Sequence, residues 1–286
     1  MHAKMTIELK AALYVVPTPI GNLADLTRRA ADVLAAVPWI AAEDTRHSGP
    51  LLKQLGATGR LLPAHQHNEQ AAAQRIVDIV RAGEAVALIS DAGTPGISDP
   101  GARVVAAMHA VGLPVVPLPG ACAAVTALSA AGFLAEQFLF HGFLPSKSGQ
   151  RRQVLAGLRG QRAALVFYEA PHRILETVAD LAAELGERTL LVARELSKLY
   201  ESIVRLPLQE AHAWLSADSN RQRGEFVLVV SGAEVTADAA EGERVLRLLL
   251  AEGLGSKQAA RLAAGISGGA QKNLYELAVR LKNGEE

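Results

Sequence analysis

A twelve-residue loop rich in glycine, proline and aspartate constrains the fold of this chain more than any other segment. Residues 90–101 have the sequence SDAGTPGISDPG and follow the apolar run AVALI at 85–89. That run is short, β-branched and preceded by Glu84, which predicts a buried strand. Asp99 and Pro100 predict the N-cap and first-turn proline of the next helix. Because open α/β sheets bind ligands at the carboxyl ends of their strands, we predict that this long loop binds a ligand.

Strand and helix patterns alternate between residues 13 and 119, which predicts a mainly parallel sheet with helices on both faces. A break at Pro119 and Gly120 precedes a second mixed half, whose strands need not be parallel. Beyond Gly232 the pattern is purely helical. We therefore predict an α/β fold of two α/β domains and a small C-terminal helical segment, with boundaries at 12–119, 120–234 and 235–286. The predicted helices include residues 25–37, 70–81, 153–159 and 172–185.

Charge and cysteine content limit the class of protein. The 286 residues carry a formal net charge of zero, which argues against a strongly basic, non-specific nucleic-acid binder. The single cysteine, Cys122, excludes an intrachain disulfide and is predicted to be a small core residue. Residues 104–135 lack charged side chains, but prolines and glycines interrupt them, so we reject a membrane span. The N-terminus has no signal-peptide pattern, and we expect a cytoplasmic protein without a membrane partner.

Four other motifs follow or end predicted strands. They are VPTPIGNL at 16–23, EDTR at 43–46, FYEAPHR at 167–173 and RELSKLYE at 194–201. The ordinary interpretation of each motif is a turn or an exposed ion-pair cluster. If the sheets gather these strand ends together, however, the same residues border one cleft. Lysine and arginine there suit an anionic substrate, and a partly desolvated lysine or glutamate could act as a base.

Residues 141–175 form a basic stretch in which Glu169 is the only acidic residue. Its basic residues are Lys147, Arg151, Arg152, Arg159, Arg162 and Arg173. The ordinary interpretation of this stretch is a solvated helix face, and the more specific interpretation is a surface that binds phosphates. The terminal helices are also basic, and their connection at 265–269 has a weak similarity to a helix-turn-helix. For these helices we favour simple packing as an appendage.

His65 and His67, with Glu69 close by, form the candidate metal site of this sequence. On an extended chain the two imidazoles would face the same side. No third ligand accompanies them, and no second histidine or cysteine pair has metal-ligand spacing. We therefore predict that the protein holds no metal.

The motifs together resemble one known family. In order between residues 16 and 201 they are VPTPIGNLxD, EDTR, HNE, SDAGTPGISDPG, PGA, FYEAPHR and RELSKLYE. This set is similar to the ribosomal RNA small-subunit methyltransferase I family, whose members methylate the ribose 2′-oxygen of a cytidine in 16S rRNA. That family resembles the tetrapyrrole methylases in fold, with two α/β domains holding S-adenosylmethionine between them. The departure from the pattern is Ser197, where threonine is common, and both residues carry a hydroxyl.

The resemblance implies S-adenosylmethionine as cofactor, 16S rRNA or the small ribosomal subunit as substrate, and a homodimer. It implies cofactor contacts, largely through backbone, at Pro17, Asp91, Ala92, Gly93, Thr94, Ile97, Ser98, Ala121 and Tyr168. Our hypothesis for RNA binding uses Glu43 and Arg46, with phosphate contacts at Lys147, Arg151 and Arg152. The hypothesis for catalysis uses His172, Arg173, Glu195 and Lys198, with Lys198 or Glu195 activating or orienting the 2′-hydroxyl.

This chemistry needs neither a phosphate-binding loop nor a metal. Holding the two reactants in line can lower the barrier by roughly 7–11 kcal/mol, and a general base can add about 10²–10⁴-fold. Two alternatives stay open at this point. A tetrapyrrole C- or N-methylase would share the fold and cofactor, and a non-catalytic RNA-binding protein would lack cofactor binding.

Overall fold

A computed structural model describes residues 9–66, 68–134, 136–233 and 239–282 of the chain. Internal contacts divide the chain into two units, Met1–Gly232 and Ala233–Glu286. The first unit contains two β-sheets, and the described part of the second unit is helical. The predicted division into three domains stays a prediction. His67, one of the two candidate metal ligands, lies outside the described residues.

The first sheet has five parallel strands in the described part of the chain, with the order β3-β2-β4-β1-β5. The strands are β1 (Leu13–Val15), β2 (Trp39–Ala42), β3 (Arg60–Pro63), β4 (Val86–Ile89) and β5 (Val115–Pro117). All four residues of the central strand β4 are buried, as expected for a parallel strand covered on both faces. The prediction of a mainly parallel sheet is therefore confirmed.

Helices cover both faces of this sheet. They are α1 (Arg28–Ala36), α2 (Thr45–Gln54), α3 (Glu69–Arg81) and α4 (Ala102–Ala110). Apolar side chains of α1 and α2 pack on one face, and those of α3 and α4 pack on the other. The parallel strands thus direct their carboxyl ends, and the loops that follow them, toward one edge of the sheet.

The second sheet is mixed and has the order β6-β7-β10-β8-β9 in the described residues. Its strands are β6 (Phe138–Phe143), β7 (Ala164–Glu169), β8 (Thr189–Arg194), β9 (Ser202–Pro207) and β10 (Phe226–Val230). Only β6 and β7 pair in parallel, which agrees with the expectation that these strands need not be parallel. One face packs against α6 (Ser148–Ala156), α7 (Ile174–Leu185) and α8 (Ala211–Ser216), and the other against α5 (Ala123–Ser129).

Three helix predictions differ from the structure. Helix α1 begins at Arg28 rather than at residue 25, because the side chain of Thr27 accepts the N–H of Ala30 and acts as N-cap. Helix α6 lies five residues earlier than its predicted start at 153. Helix α2 was not predicted, since Pro50 lies inside it. Proline removes a helical N–H donor and therefore masked the helical pattern.

The start of α4 overturns the predicted N-cap at Asp99. The N-cap residue is Gly101, whose φ of 137° is a conformation that glycine adopts without strain. The cap itself comes from another helix: Oε1 of the buried Glu69 accepts the N–H groups of Gly101 at 2.8 Å and Arg103 at 3.2 Å. A carboxylate at this position also favours the helix dipole. The side chain of Asp99 is thereby left available for another role.

The second unit contains three helices in its described part, α9 (Ala239–Ala251), α10 (Ser256–Ser267) and α11 (Gln271–Lys282). They enclose a small core of their own, built mainly from alanine and leucine. Gly268 ends α10 in the left-handed conformation, with its N–H bound to the carbonyl of Ala264. No helix of the described residues is long and apolar enough to cross a membrane.

Replacing Glu69 by alanine should lower the free energy of unfolding by about 2–3 kcal/mol, because two N–H groups lose a charged acceptor. Glu69→Gln keeps a neutral acceptor and should lose about half as much. Urea unfolding followed by circular dichroism measures both losses. The exposed Glu187 offers a matched control, and Glu187→Ala should change the free energy by less than about 0.5 kcal/mol. Equal losses in all three variants would contradict the capping role.

Candidate active site

A cavity of about 300 Å³ lies where the strand-end loops of the first sheet meet the second sheet. The segments that follow strands of the first sheet contribute Ile20 and five residues of the 90–101 loop: Ala92, Gly93, Thr94, Ile97 and Asp99. Of these five, Asp99 was not predicted to bind the cofactor. From the second sheet, the lining includes Cys122, Phe143, Tyr168, Lys198, Glu225 and Phe226. A concave, mainly apolar space with a few converging polar groups is typical of a small-molecule site.

Hydrogen bonds hold the 90–101 loop in place. Thr18, after β1, exchanges two backbone hydrogen bonds with Gly93, at 2.9 and 3.0 Å. The buried hydroxyl of Thr18 donates to the carbonyl of Ser90 at 3.1 Å. At the other side of the loop, the hydroxyl of Thr94 donates to the carbonyl of Ala121 at 2.8 Å. The loop is therefore tied to β1 and to the segment before α5, which preorganises its backbone.

Five of the predicted cofactor-binding residues line the cavity: Ala92, Gly93, Thr94, Ile97 and Tyr168. The other four, Pro17, Asp91, Ser98 and Ala121, are not part of the lining. Pro17 packs against Gly120, Ala121 accepts the hydrogen bond of Thr94, and Asp91 accepts the N–H of Asp44 at 3.1 Å. A Cβ added to Gly142 would lie 2.8 Å from Oγ of Ser98, so Ser98 contacts the second sheet. Their contact with a cofactor stays a prediction.

Tyr168 is fixed by its neighbours on the second sheet. Its ring packs edge-on against Phe140 and Phe143, with centroid distances of 5.0 and 5.7 Å. Its hydroxyl accepts the N–H of Ala124 at 3.1 Å. Burial raises the pKa of Tyr168 well above its ordinary value, so the phenol stays neutral. It can therefore orient a ligand but cannot act as a base near neutral pH.

Lys198 projects into the cavity as a paired ammonium. Its Nζ lies 2.8 Å from Glu195 and 2.8 Å from Glu225. Burial lowers the pKa of Lys198, but the hydrogen bonds to Glu195 and Glu225 outweigh it and raise that pKa overall. Burial likewise raises the pKa of Glu195, and its hydrogen bonds from Lys198 and the Glu225 N–H lower it overall. Both groups stay charged, so the Lys198 ammonium can orient a hydroxyl but has no free electron pair with which to take up its proton, and the role of either residue in activating or orienting the 2′-hydroxyl stays a prediction.

Two glycines make room for this cluster. A Cβ on Gly21 would lie 2.3 Å from Cγ of Lys198, and a Cβ on Gly224 would lie 2.4 Å from Cγ of Glu195. Both glycines also have positive φ. The motif VPTPIGNL therefore contributes a groove for the lysine side chain. Sequence reasoning identified this motif but did not connect it with Lys198.

Carboxylates from two strand ends lie close together beside the cavity. Burial and the charge of Glu43 raise the pKa of Asp99, a hydrogen bond with Ser90 opposes them, and the net result is a pKa of about 6. Burial and the charge of Asp91 also raise the pKa of Glu43. Sequence reasoning missed Asp99 as a cavity residue because an aspartate before proline fits an N-cap so well. Gly101 was the available signal in the sequence, because a glycine at that position can itself be the N-cap residue of α4.

Three of the four predicted catalytic residues are not part of the cavity lining: His172, Arg173 and Glu195. Arg173 lies 3.2 Å from Glu169 and donates to the carbonyl of Leu144 at 2.7 Å, so its guanidinium ties β7 to the segment after β6. His172 is exposed and lies beside the cavity residue Pro171. Arg173 therefore has a structural role here, and its predicted part in catalysis stays a prediction.

The predicted phosphate contacts divide into buried and exposed residues. Arg151 is fully buried, with Asp180 at 2.7 Å and Glu176 at 3.5 Å, so it cannot contact a phosphate as predicted. Arg152 is half exposed but pairs with the buried Glu184 at 2.7 Å. Lys147 is exposed. Of the predicted RNA-binding residues on the first sheet, Glu43 is half-buried, and Arg46 is exposed and pairs with Asp44 at 3.0 Å.

Comparison with known proteins identifies the class first. A family model described as "Tetrapyrrole (Corrin/Porphyrin) Methylases" matches residues 12–212. A second model, described as "RsmI C-terminal HTH domain", matches residues 236–282. The fold and cavity are thus those of a tetrapyrrole methylase, followed by a helix-turn-helix domain. The weak helix-turn-helix similarity was meaningful, and the preference for a plain helical appendage was wrong.

Relatives then define the group within that class. The ribosomal RNA small subunit methyltransferase I of Escherichia coli O157:H7 is 49% identical over 93% of this chain and 94% of its own. That of Pseudomonas aeruginosa is 50% identical over 94% of this chain and 96% of its own. The chain belongs to the ribosomal RNA small subunit methyltransferase I family. A solved uroporphyrin-III C-methyl transferase from Thermus thermophilus, complexed with S-adenyl homocysteine, shares the fold: its TM-score is 0.51 at 19% identity, covering 77% of this chain and 97% of that one.

Gly21→Ala should destabilise the protein more than Gly83→Ala. Both glycines have positive φ, 149° and 93°, so alanine strains the backbone at either position. A Cβ at Gly21 meets Lys198, whereas a Cβ at Gly83 meets nothing within 4 Å. We expect losses in unfolding free energy of about 1–3 kcal/mol at Gly83 and about 2–5 kcal/mol at Gly21, measured in urea. Equal losses would mean that Lys198 leaves its groove at no cost.

Proposed function

We propose that this chain is an S-adenosylmethionine-dependent methyltransferase that methylates the ribose 2′-hydroxyl of a cytidine in 16S rRNA of the small ribosomal subunit. Identity of 49–50% with relatives named ribosomal RNA small subunit methyltransferase I supports the activity. The structural observation that carries this proposal is the cavity at the 90–101 loop. Two backbone hydrogen bonds between Thr18 and Gly93 fix the conformation of that loop.

The cavity fits S-adenosylmethionine by its chemistry. Apolar residues such as Ile20, Ile97 and Phe226 suit an adenosine moiety, and the loop backbone supplies hydrogen-bonding groups beside them. Carboxylates at Asp99 and Glu225 suit a ligand that carries positive charge. The cofactor has no phosphate, which agrees with a loop that has no phosphate-binding pattern. When bound, it supplies a methyl group made electrophilic by its sulfonium.

The residues of the chain contribute mainly by positioning. The preorganised loop holds the cofactor in one orientation, and the neutral phenol of Tyr168 forms one wall of the site. The ammonium of Lys198 faces the same space and suits an RNA phosphate or a ribose oxygen. Fixing both reactants in line can supply roughly 7–11 kcal/mol of barrier lowering.

The first test is a methyl-transfer assay with labelled S-adenosylmethionine. Its substrates are small ribosomal subunits and naked 16S rRNA from cells that lack the enzyme, and mass spectrometry locates the product. We expect label on the 2′-oxygen of one cytidine ribose. Transfer to uroporphyrinogen without transfer to RNA would instead establish a tetrapyrrole methylase. RNA binding without cofactor binding would establish a non-catalytic RNA-binding protein.

RNA binding is proposed to use exposed cations and the helix-turn-helix domain. Lys147 and Arg46 are the exposed members of the predicted set that are not held against a buried carboxylate. The described part of the C-terminal domain adds Lys257 and Lys272 beside Tyr275. The lysines suit RNA phosphates, and the tyrosine ring suits stacking of an unpaired base.

The double variant Lys147→Ala with Arg46→Ala should bind 16S rRNA more weakly and with a shallower salt dependence. Each lost phosphate contact should reduce the slope of log K against log salt by about 0.7–0.9. Filter binding between about 50 and 200 mM salt measures that slope. Arg81→Ala, at the exposed end of α3, serves as the control. An unchanged slope in the double variant would place the RNA on another surface.

We also propose that the protein is a cytoplasmic homodimer. Assembled ribosomal subunits as substrate support the location. Exposed apolar side chains support the association: Val125, Leu134 and Phe138 are 54%, 103% and 50% exposed. Large apolar side chains exposed to this degree favour contact with another protein surface. Two copies of the chain would cover them.

A further inference from the structure

Two large side chains with apolar surface are exposed to solvent directly after the cavity residue Lys198. Leu199 is 88% exposed and Tyr200 is 69% exposed. Exposed apolar side chains that occur singly are ordinary, but adjacent ones beside a ligand cavity favour contact with a further molecule. In the described part of the chain, no other ring packs on the ring of Tyr200 and no group hydrogen-bonds its hydroxyl. The ring is therefore available to a ligand.

Several contacts hold this segment in one conformation. Glu195 and Ser197 have φ values of 52° and 66°, left-handed conformations that are unusual for residues with side chains. The N–H of Ser197 donates to the carboxylate of Glu201 at 2.6 Å, and its hydroxyl donates to Asp25, which follows β1. Backbone held in such conformations concentrates at functional sites. Tyr200 is therefore presented to solvent by a turn that is tied to both sheets.

The guanidinium of Arg194 joins this turn to an exposed arginine. Its Nη2 donates to the carbonyl of Tyr200 at 3.1 Å, and its Nη1 donates to the carbonyl of Arg223 at 3.2 Å. Its Nε donates to the hydroxyl of Ser202, at the start of β9, at 3.1 Å. Arg223 is exposed and forms no ion pair with any described residue. One side chain thus brings the backbones of an aromatic residue and an unpaired arginine together at one end of the second sheet.

Three acidic groups near this surface are already engaged. Glu195 and Glu225 each pair with Lys198 at 2.8 Å, and Glu201 accepts a backbone N–H. The charge of Arg223 is therefore left for an anion from solvent. An aromatic ring can stack on the face of any unpaired base, and an arginine can bind a phosphate of the same strand. The chemistry of this surface fits single-stranded RNA.

We propose that Tyr200 and Arg223 bind the nucleotide next to the methylated cytidine, an inference that rests on the proposed function. A ribose reaches a methyl group inside the cavity only after its nucleotide leaves the base stack, which costs stacking energy. The neighbouring base then loses a stacking partner, and the ring of Tyr200 replaces that partner beside the cavity. Arg223 binds the phosphate of this neighbour. Both are substrate-binding residues that do not touch the reacting atoms.

The central variants are Tyr200→Ala, Tyr200→Leu and Tyr200→Phe. Loss of one base–aromatic stack should weaken the binding of 16S rRNA about 5–150-fold in Tyr200→Ala, and leucine should not restore it. Tyr200→Phe keeps the stack and should bind within about twofold of the wild type. Filter binding measures each dissociation constant. Val111→Ala, which shortens an exposed apolar side chain at the end of α4, is the control and should match the wild type.

Arg223→Ala tests the phosphate contact separately. Loss of one contact to a single strand should reduce the slope of log K against log salt by about 0.7. Arg81→Ala removes an exposed arginine on α3 and should leave that slope unchanged. In Tyr200→Ala and Arg223→Ala, the dissociation constant for S-adenosylmethionine, measured by calorimetry, should change by less than about twofold, because neither residue lines the cavity.

The outcomes separate this inference from the proposed function. Wild-type RNA affinity in Tyr200→Ala would overturn the stacking role, and full restoration by Tyr200→Leu would do the same by indicating plain apolar packing. A Tyr200→Ala protein with half the wild-type mass in sedimentation equilibrium would make Tyr200 a contact between two copies of the chain instead. A wild-type protein that binds 16S rRNA through Tyr200 but transfers no methyl group to it would leave this RNA site intact and overturn the proposed reaction.

Discussion

The pairing between Thr18 and Gly93 is the constraint on which the site depends. Two backbone hydrogen bonds, at 2.9 and 3.0 Å, join the segment after β1 to the loop after β4. These strands are neighbours in the sheet, so the parallel topology places the two segments side by side. Without this pairing a loop with so much glycine would sample many conformations, because glycine loses more backbone entropy on ordering than any other residue.

A second anchor comes from outside the two strands. Glu69 begins α3, yet its carboxylate caps α4 by binding the N–H groups of Gly101 and Arg103. The 90–101 loop is therefore held at its first half by β1 and at its end by α3. This arrangement leaves Asp99 free of the capping role. A buried acceptor on one helix thus determines which carboxylate faces the cavity.

Charged side chains in the second sheet are largely committed to the fold. Arg151 bonds Asp180, Arg173 bonds Glu169, and Arg152 bonds Glu184. Each pair buries at least one charged group, namely the guanidinium of Arg151, the carboxylate of Glu169 or the carboxylate of Glu184. A buried charge that loses its partner is costly, so these pairs cannot be released for RNA without loss of stability. The cluster of Lys198 with Glu195 and Glu225 is different, because it reaches the cavity lining. Some charged side chains of the second sheet and its helices therefore stabilise the fold, and others line the cavity.

The sequence by itself determined the α/β class, the mainly parallel first sheet and the loop that lines the cavity. Short apolar runs bounded by glycine, proline and charged residues define strands locally, and family motifs located Gly93, Thr94 and Tyr168. Tertiary structure alone decided where the charged side chains point. Glu69 caps a residue 32 positions away, and Arg151 bonds an aspartate 29 positions away. Such contacts leave no local pattern, because they depend on which helices the sheet brings together.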